Sequence, residues 1–199
     1  IDGRYVDAAD GARFDCISPV DGRLLAQVAD CAAVDVDRAV VAARRSFEAG
    51  RWSRAAPMQR KRVLQRLADL VELHADELAL LETLDMGKPV RDARNDDLPG
   101  AVRCLRWTAE AVDKVYGEIA PTGVDTLGLI SREPVGVVAA VVPWNFPLLM
   151  AAWKIAPALA AGNSVILKPS ERSPLSAVRL AALASEAGIP DGVFNVLPG

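Results

Sequence analysis

The sequence predicts an α/β fold built on a parallel sheet, and the signals are concentrated between residues 135 and 199. Three apolar runs in this segment, each rich in β-branched residues, are separated by stretches of helical composition. Runs of this kind are typical of parallel strands that are buried on both faces. Strand–helix–strand units form right-handed crossovers. We therefore predict strands near 135–142, 164–167 and 193–197, with helices near 148–161 and 174–187 between them.

Glycine and proline residues set the limits of these elements. The segment 143–147 contains two prolines and stops the first strand, and Gly162 closes the following helix in the manner of a C-terminal cap. Pro174 stands at the first turn of the second helix, where a missing N–H is tolerated. Gly188 and Pro190 then break that helix ahead of the third strand.

The first 30 residues are predicted to form an arm of short strands and turns. The strands are placed near 4–6, 14–17 and 23–28, and Asp21 with Gly22 is a hairpin signal. A helix follows whose apolar positions share one face, namely Val36, Val40, Ala43 and Phe47. This arm and the helices after it are expected to pack together.

Helical patterns continue to about residue 114. One helix begins at Pro57 and carries an apolar stripe formed by Val63, Leu64, Leu67, Leu70 and Val71. Further helices are predicted over 76–86 and 91–114, the latter interrupted near Pro99 and Gly100. Residues 116–133 read as a strand pair that turns near Thr122.

We expect three regions along the chain. Residues 1–115 form the arm and helices, residues 116–134 form a projecting hairpin, and residues 135–199 supply the first part of the parallel sheet. The first and third regions are expected to pack as one unit. Because the sheet is only half built at Gly199, we expect the chain to belong to a longer protein.

The composition argues against several classes of function. Hydrophobic residues make up 51% of the chain and the formal net charge is −3, which is typical of a soluble globular protein without a basic surface for nucleic acid. No apolar run reaches transmembrane length, and no signal peptide is visible. Cys16, Cys31 and Cys104 are widely spaced and match no disulfide or metal pattern, so we expect a reducing, cytoplasmic location.

Polar side chains gather where the predicted strands end. Asn145 follows the first strand, and Lys168 and Glu171 follow the second. Open α/β sheets bind ligands at the carboxyl edge of their strands. The sequence therefore places an amide, an ammonium and a carboxylate at one candidate ligand site.

Several ordered motifs resemble the aldehyde dehydrogenase superfamily over nearly the whole chain. They are VPWNFPL at 142–148, WKIAPALAAGN at 153–163, LKPSE at 167–171, EAGIPDGVFNVLPG at 186–199, DCISPVDG at 15–22, LDMGKP at 84–89 and REPVG at 132–136. Within the superfamily, the chain is most similar to the bacterial gamma-glutamyl-gamma-aminobutyraldehyde dehydrogenases. The resemblance implies the N-terminal portion of that fold, with a Rossmann-like NAD-binding sheet covered by helices on both faces, an N-terminal arm, and a hairpin directed to the oligomerisation surface. The catalytic domain, with its nucleophilic cysteine and general-base glutamate, would lie outside this segment.

The resemblance implies catalytic roles for two residues. Asn145 would stabilise the oxyanion that forms when the cysteine attacks the aldehyde carbonyl, and loss of such a donor costs roughly 100- to 1000-fold in rate. Alternatively, Asn145 satisfies backbone groups of a turn. Lys154 interrupts an apolar helix, where a buried lysine would be unusual. It would serve a proton relay or a structural role near the active site, or else its ammonium reaches solvent or caps carbonyls.

The resemblance also implies that the loops after the first two strands hold NAD. Lys168 and Glu171 would contact the adenosine ribose, because a carboxylate can accept two hydrogen bonds from the diol. Glu171 would also repel a 2′-phosphate, so NAD is expected over NADP. Further cofactor contacts would come from Val142, Pro143, Trp144, Pro169 and Ser170. A solvated Lys–Glu pair at a helix start is the alternative.

The remaining candidates concern the substrate channel and a cation. By resemblance, the aldehyde channel would be lined by Phe146, Leu149 and Trp153. An ordinary core wall is the alternative, and for Met150 it is the preferred interpretation. The carbonyl of Ile17 and the carboxylate of Asp85 would bind a monovalent cation, unless Asp85 is a plain helix-end carboxylate. His74 is interpreted as a solvated residue, and none of the three cysteines resembles the family nucleophile.

Together these features predict an NAD-dependent aldehyde dehydrogenase. It would oxidise a small amino-aldehyde to the carboxylic acid through a cysteine thioester, and this segment alone would be inactive. A coenzyme-A-acylating relative and a non-catalytic protein with the same fold are the two alternatives. The full-length protein is expected to self-associate as a dimer or tetramer, with a small-molecule aldehyde as its substrate and with neither nucleic acid nor a membrane as a partner.

Overall fold

The strands of the protein form one parallel sheet and two antiparallel pairs. The computed structural model describes residues 1–199. The strands are β1 (Arg13–Ile17), β2 (Leu24–Ala29), β3 (Glu118–Ala120), β4 (Gly128–Ile130), β5 (Val137–Val141), β6 (Ser164–Lys168) and β7 (Phe194–Val196). β1 pairs with β2 and β3 with β4, and the three-stranded sheet has the order β5-β6-β7.

Seven α-helices surround these strands. They are α1 (Ala33–Ala49), α2 (Pro57–Leu73), α3 (Ala75–Met86), α4 (Val90–Asp92), α5 (Leu98–Ala111), α6 (Pro147–Ala160) and α7 (Leu175–Ala187). A π-helical turn at Ala93–Asp97 joins α4 to α5, and a 3₁₀ turn at Val112–Lys114 follows α5. None of these helices is long and apolar enough to cross a membrane.

The predicted parallel sheet is confirmed. β5 pairs with β6 and β6 with β7, both in parallel, and α6 and α7 are the two crossovers. Alternate residues of the central strand β6 point to opposite faces. Val165 and Leu167 join the large core formed with α2, α5, α6 and α7, whereas Ile166 packs with α1. Helices therefore cover both faces, as the sequence predicts.

The N-terminal arm is only partly as predicted. β1 and β2 form the expected hairpin, and Gly22 takes a positive φ in its turn. The prediction of a strand near 4–6 is wrong, since no strand forms there. This segment is irregular because it packs against α7 and has no neighbouring strand to pair with. The Tyr5 hydroxyl donates a hydrogen bond to the carbonyl of Val178 in α7 at 3.0 Å.

Helix α1 forms as predicted, but its buried face differs from the expected one. Val36 and Val40 are 44% and 41% exposed. Ala43 is buried as predicted, and the other buried positions are Ala39, Ala42 and Ser46, together with Asp35 in the first turn. Small side chains let the backbone of α1 approach the sheet closely, so the larger valines lie outside the contact between α1 and the sheet.

The predicted break near Pro99 and Gly100 is also wrong. α5 runs through both residues, because Pro99 occupies its first turn, where a missing N–H is tolerated. The irregularity lies earlier, in the π turn, where the N–H of Leu98 bonds to the carbonyl of Ala93. Gly100 faces α6, and a Cβ atom there would lie 3.3 Å from Leu149 Cδ1.

Candidate functional site

The segment 143–147 extends from the carboxyl edge of the sheet between β5 and α6. The N–H of Val142 donates to the carbonyl of Lys168 at 3.1 Å, which continues the β5–β6 pairing one residue past the strand. Pro147 then opens α6. Trp144, Asn145 and Phe146 lie exposed between these two fixed points. The side-chain amide of Asn145 makes no hydrogen bond within the chain, so its donors are free to meet a ligand.

Lys88 lies behind this segment, and the sequence analysis did not single it out. Its ammonium pairs with the carboxylate of Asp97, lies 3.4 Å from the carbonyl oxygen of Asn145, and lies 3.8 Å from the ring centroid of Phe146. The residue belongs to the LDMGKP motif, but nothing in the local pattern relates it to a loop 57 residues away.

Glu82 is a second residue that sequence reasoning missed. Its Oε1 accepts hydrogen bonds from the N–H of Leu148 at 2.7 Å and from the hydroxyl of Ser176 at 3.0 Å, while Oε2 has no partner. The side chain is fully buried, and burial raises the pKa of the carboxyl to about 7. Glu82 therefore ties the first turns of α6 and α7 together.

Lys168 and Glu171 follow β6 and are both accessible. The Lys168 ammonium lies 3.9 Å from Glu171 Oε2 and donates to the carbonyl of Pro169 at 3.1 Å. A hydrogen bond from its own backbone N–H, aided by the charge of Lys168, lowers the pKa of Glu171. An exposed, ionised carboxylate of this kind can accept two hydrogen bonds from a diol.

A groove connects the two loops. It has a volume of about 530 Å³, and its lining includes Trp144 from the first loop, Glu171 from the second, and Ile17 and Asp85 from below. Trp144 and Glu171, predicted from separate strand ends, thus line one groove, whereas Asn145 and Lys168 are not among its lining residues. A somewhat larger cavity of about 580 Å³ lies between the arm and α7, but it contains no predicted catalytic or cofactor residue.

The predicted channel residues lie along α6. Leu149 and Met150 are half-buried, and Trp153 is exposed. Lys154 is exposed as well, which agrees with the alternative in which its ammonium reaches solvent. The buried stripe of α6 passes instead through Ala151, Ala152 and Ile155, which turn Lys154 away from the core.

Asp85 is buried and has a partner on each oxygen. Oδ1 accepts a hydrogen bond from the thiol of Cys16 at 2.8 Å, and Oδ2 accepts one from the N–H of Leu175 at 2.7 Å. Burial raises the pKa of this carboxyl to about 6. No group of three or more acidic, cysteine or histidine side chains is arranged to hold a metal. This geometry favours the structural alternative for Asp85, and the cation site with Ile17 stays a prediction.

The cysteines and the histidine lie in unreactive surroundings. Burial raises the pKa of the Cys16 thiol to about 12, and it also raises the pKa values of Cys31 and Cys104. Thiols of this kind carry little thiolate at neutral pH. His74 Nδ1 lies 3.0 Å from Glu77 Oε2 at the surface. None of the cysteines is hydrogen-bonded to the histidine, and the thiol of Cys16 donates to Asp85 instead.

Comparison with known proteins identifies the family. The family model described as "Aldehyde dehydrogenase family" matches residues 5–199, and the chain therefore belongs to that family. It is 62% identical over 199 residues to the NADP/NAD-dependent aldehyde dehydrogenase PuuC of Escherichia coli K12, and 56% identical to the aminoacetaldehyde dehydrogenase of Pseudomonas aeruginosa. The whole chain matches 40% of each of these relatives.

Solved structures give the same result. The gamma-glutamyl-gamma-aminobutyraldehyde dehydrogenase of Burkholderia cenocepacia J2315 is 64% identical, with a TM-score of 0.99 over all of this chain and 40% of its own. A variant of the indole-3-acetaldehyde dehydrogenase AldA of P. syringae, solved with NAD+ and IAA, is 64% identical with the same TM-score and coverage. The predicted family and fold are confirmed, and the chain spans about two fifths of the length of these relatives.

Proposed function

We propose that this chain is the N-terminal part of an NAD-dependent aldehyde dehydrogenase that oxidises a small amino-aldehyde to the carboxylic acid. The observation that carries the proposal is the free amide of Asn145, which is exposed at the carboxyl edge of the sheet between two fixed points of the backbone. Similar proteins include an aminoacetaldehyde dehydrogenase and a gamma-glutamyl-gamma-aminobutyraldehyde dehydrogenase, and these relatives support the substrate class.

Asn145 serves the reacting carbonyl in this proposal. A cysteine outside this segment attacks the aldehyde to give a thiohemiacetal, and the amide N–H donates to the oxyanion as its charge develops. A donor fixed before the reaction needs no reorganisation, which is why such groups contribute strongly to rate. Phe146, Leu149 and Trp153 supply apolar contacts to the substrate, and Lys154 lies on the same exposed side of α6.

We assign the groove to the adenosine end of NAD, and the nicotinamide end of the bound cofactor would supply the two-electron acceptor. Glu171 accepts hydrogen bonds from the two ribose hydroxyls, and Lys168 lies beside it. Trp144 lines the groove, and the further cofactor contacts proposed for this region come from the neighbouring loop residues Val142, Pro143, Pro169 and Ser170. The ionised carboxylate of Glu171 disfavours a 2′-phosphate by repulsion, so NAD is the preferred nucleotide.

The oxyanion role is tested by Asn145→Ala in the full-length protein. We expect kcat for NADH formation with small amino-aldehydes to fall by roughly 100- to 1000-fold, whereas the KM for NAD changes little. Asn95→Ala is the matched control, because Asn95 is also exposed but lies in the π turn. A near-normal kcat in Asn145→Ala, or robust turnover by residues 1–199 alone, would overturn the mechanism.

The cofactor role is tested by Glu171→Ser. We expect a higher KM for NAD and a relative gain for NADP, since diol recognition and phosphate repulsion are lost together. Glu186→Ser, at another exposed carboxylate on α7, is the control. An unchanged ratio of kcat/KM for NAD over NADP would show that Glu171 does not contact the ribose.

Self-association is assigned to the β3–β4 hairpin. Ile119 and Leu129 are cross-strand partners, and both are exposed together with Leu127. An apolar patch of this kind is typical of an interface. Ile119→Asp with Leu129→Asp should shift the full-length protein toward the monomer in sedimentation velocity, and an unchanged sedimentation coefficient would exclude this surface.

A further inference from the structure

Lys88 is held rigidly at the end of α3. Gly87 ends that helix in the left-handed region with φ 78°, and its N–H bonds to the carbonyl of Thr83 at 2.9 Å. Pro89 follows directly and precedes α4. The side chain is only 16% exposed, because it reaches inward to the nearly buried carboxylate of Asp97. This ion pair fixes the direction of the ammonium.

The ammonium contacts the segment 143–147 at two adjacent residues. It donates a hydrogen bond of 3.4 Å to the carbonyl oxygen of Asn145 and lies 3.8 Å from the ring centroid of Phe146. Cation–π attraction of this kind contributes more when the cation is shielded from water. The two contacts restrain the peptide between Asn145 and Phe146, from which the Asn145 side chain takes its direction.

The ends of the same segment are restrained separately. The N–H of Val142 is bonded to Lys168, and the N–H of Leu148 is bonded to the buried Glu82. Between these bonds lie two prolines and three exposed side chains, so the exposed middle has few contacts of its own. The carbonyl of Phe146 accepts a hydrogen bond from the N–H of Met150 at 2.8 Å, and Lys88 supplies the contacts to the carbonyl of Asn145 and to the ring of Phe146.

We propose that Lys88 is a positioning residue for Asn145, which it keeps aimed at the reacting carbonyl through the backbone of residues 145 and 146. This inference depends on the oxyanion role given to Asn145 above. Lys88 itself does not contact the substrate. A displacement of about 1 Å in a catalytic group can cost about 100-fold in rate, so loss of these contacts should be visible in kcat.

The test compares Lys88→Met with Lys61→Met in the full-length protein. Lys61 is a close match, because its side chain is 15% exposed and pairs with two carboxylates, those of Glu110 and Asp113, away from the candidate site. We expect Lys88→Met to lower kcat by roughly 10- to 100-fold while the KM for NAD stays within about twofold. Lys61→Met should lower thermal stability comparably and leave kcat near normal.

A double variant separates positioning from general damage. If Lys88 acts through Asn145, then Lys88→Met should change kcat by less than about twofold in an Asn145→Ala background, because the group it positions is gone. If Lys88→Met alone does not fold, Lys88→Met with Asp97→Asn replaces it, since that pair leaves no buried unpaired carboxylate.

The outcomes distinguish the two proposals. A strong effect of Lys88→Met that disappears in the Asn145→Ala background supports positioning. A kcat within about twofold of wild type, or an equal loss in both backgrounds, overturns it while the oxyanion role stands. A normal kcat in Asn145→Ala alone would instead remove the oxyanion role itself.

Discussion

Replacing Glu82 by glutamine should make the protein more stable above neutral pH and leave its stability nearly unchanged in mild acid. The wild-type carboxyl is fully buried, with one oxygen bonded to Leu148 and Ser176 and the other without a partner. In its protonated form, Glu82 closely resembles glutamine in shape and charge. Once ionised, it places an incompletely solvated charge in the core.

The magnitude follows from the pKa of Glu82. Burial raises this pKa from 4.5 to about 7, so the folded protein holds a proton that the unfolded chain has already released. Stability therefore falls as pH rises from the unfolded pKa and levels off above the folded one. At about 1.4 kcal/mol per pH unit over this rise in pKa, the loss is about 3–3.5 kcal/mol, which Glu82→Gln avoids.

The assay is urea unfolding of the full-length wild-type and Glu82→Gln proteins between about pH 5 and pH 8. The difference in unfolding free energy should be small at the acid end and should grow to about 3 kcal/mol in favour of the variant. Comparing the two proteins cancels the contribution of Asp85 to the pH dependence, because its raised pKa acts in the same direction in both. Glu48→Gln, at an exposed carboxylate on α1, is the control. A difference that does not vary with pH would refute the reasoning.

Two further predictions concern the backbone and a thiol. Gly192→Ala should destabilise the protein by about 1–3 kcal/mol more than Gly22→Ala in urea unfolding, since both residues have positive φ but only at Gly192 would a Cβ lie 2.8 Å from a carbonyl oxygen, that of Ala42; equal losses would contradict this. Cys16 should react with iodoacetamide more slowly than Cys31 in the native protein, as measured by mass spectrometry, because its thiol is buried with a pKa near 12; equal labelling rates would count against it.

The parallel sheet could be predicted because its signal is local. Each strand is a continuous apolar run, and a strand buried on both faces needs no other pattern. The same locality located Asn145 and Glu171, because each stands directly after a strand and strand ends share an edge. The sequence pattern gives only the order of the strands along the chain. Because the strands are parallel, residues that follow different strands lie at the same edge of the sheet.

Side-chain direction was harder to predict. The stripe of α1 was chosen by size, so Val36 and Val40 were favoured over Ala39 and Ala42, but close packing against the sheet selects small residues. For Lys154, the composition of the helix left both a buried and an exposed position open, and one exposed face of the helix accommodates the lysine. In both cases the distance between the helix and its neighbouring element determines which side chains are buried, and that distance cannot be obtained from the sequence.

The acids of α3 explain why the two site loops belong to one structural unit. Neither α6 nor α7 has a side-chain cap of its own. Their unpaired first-turn N–H groups are satisfied instead by Glu82, which accepts from Leu148, and by Asp85, which accepts from Leu175. Residues three apart on a helix share a face, so one face of α3 sets the start of both crossover helices. The loops that carry Asn145 and Glu171 end at those same starts. A change in the position of α3 would therefore move Asn145 and Glu171 together and preserve the spacing between them.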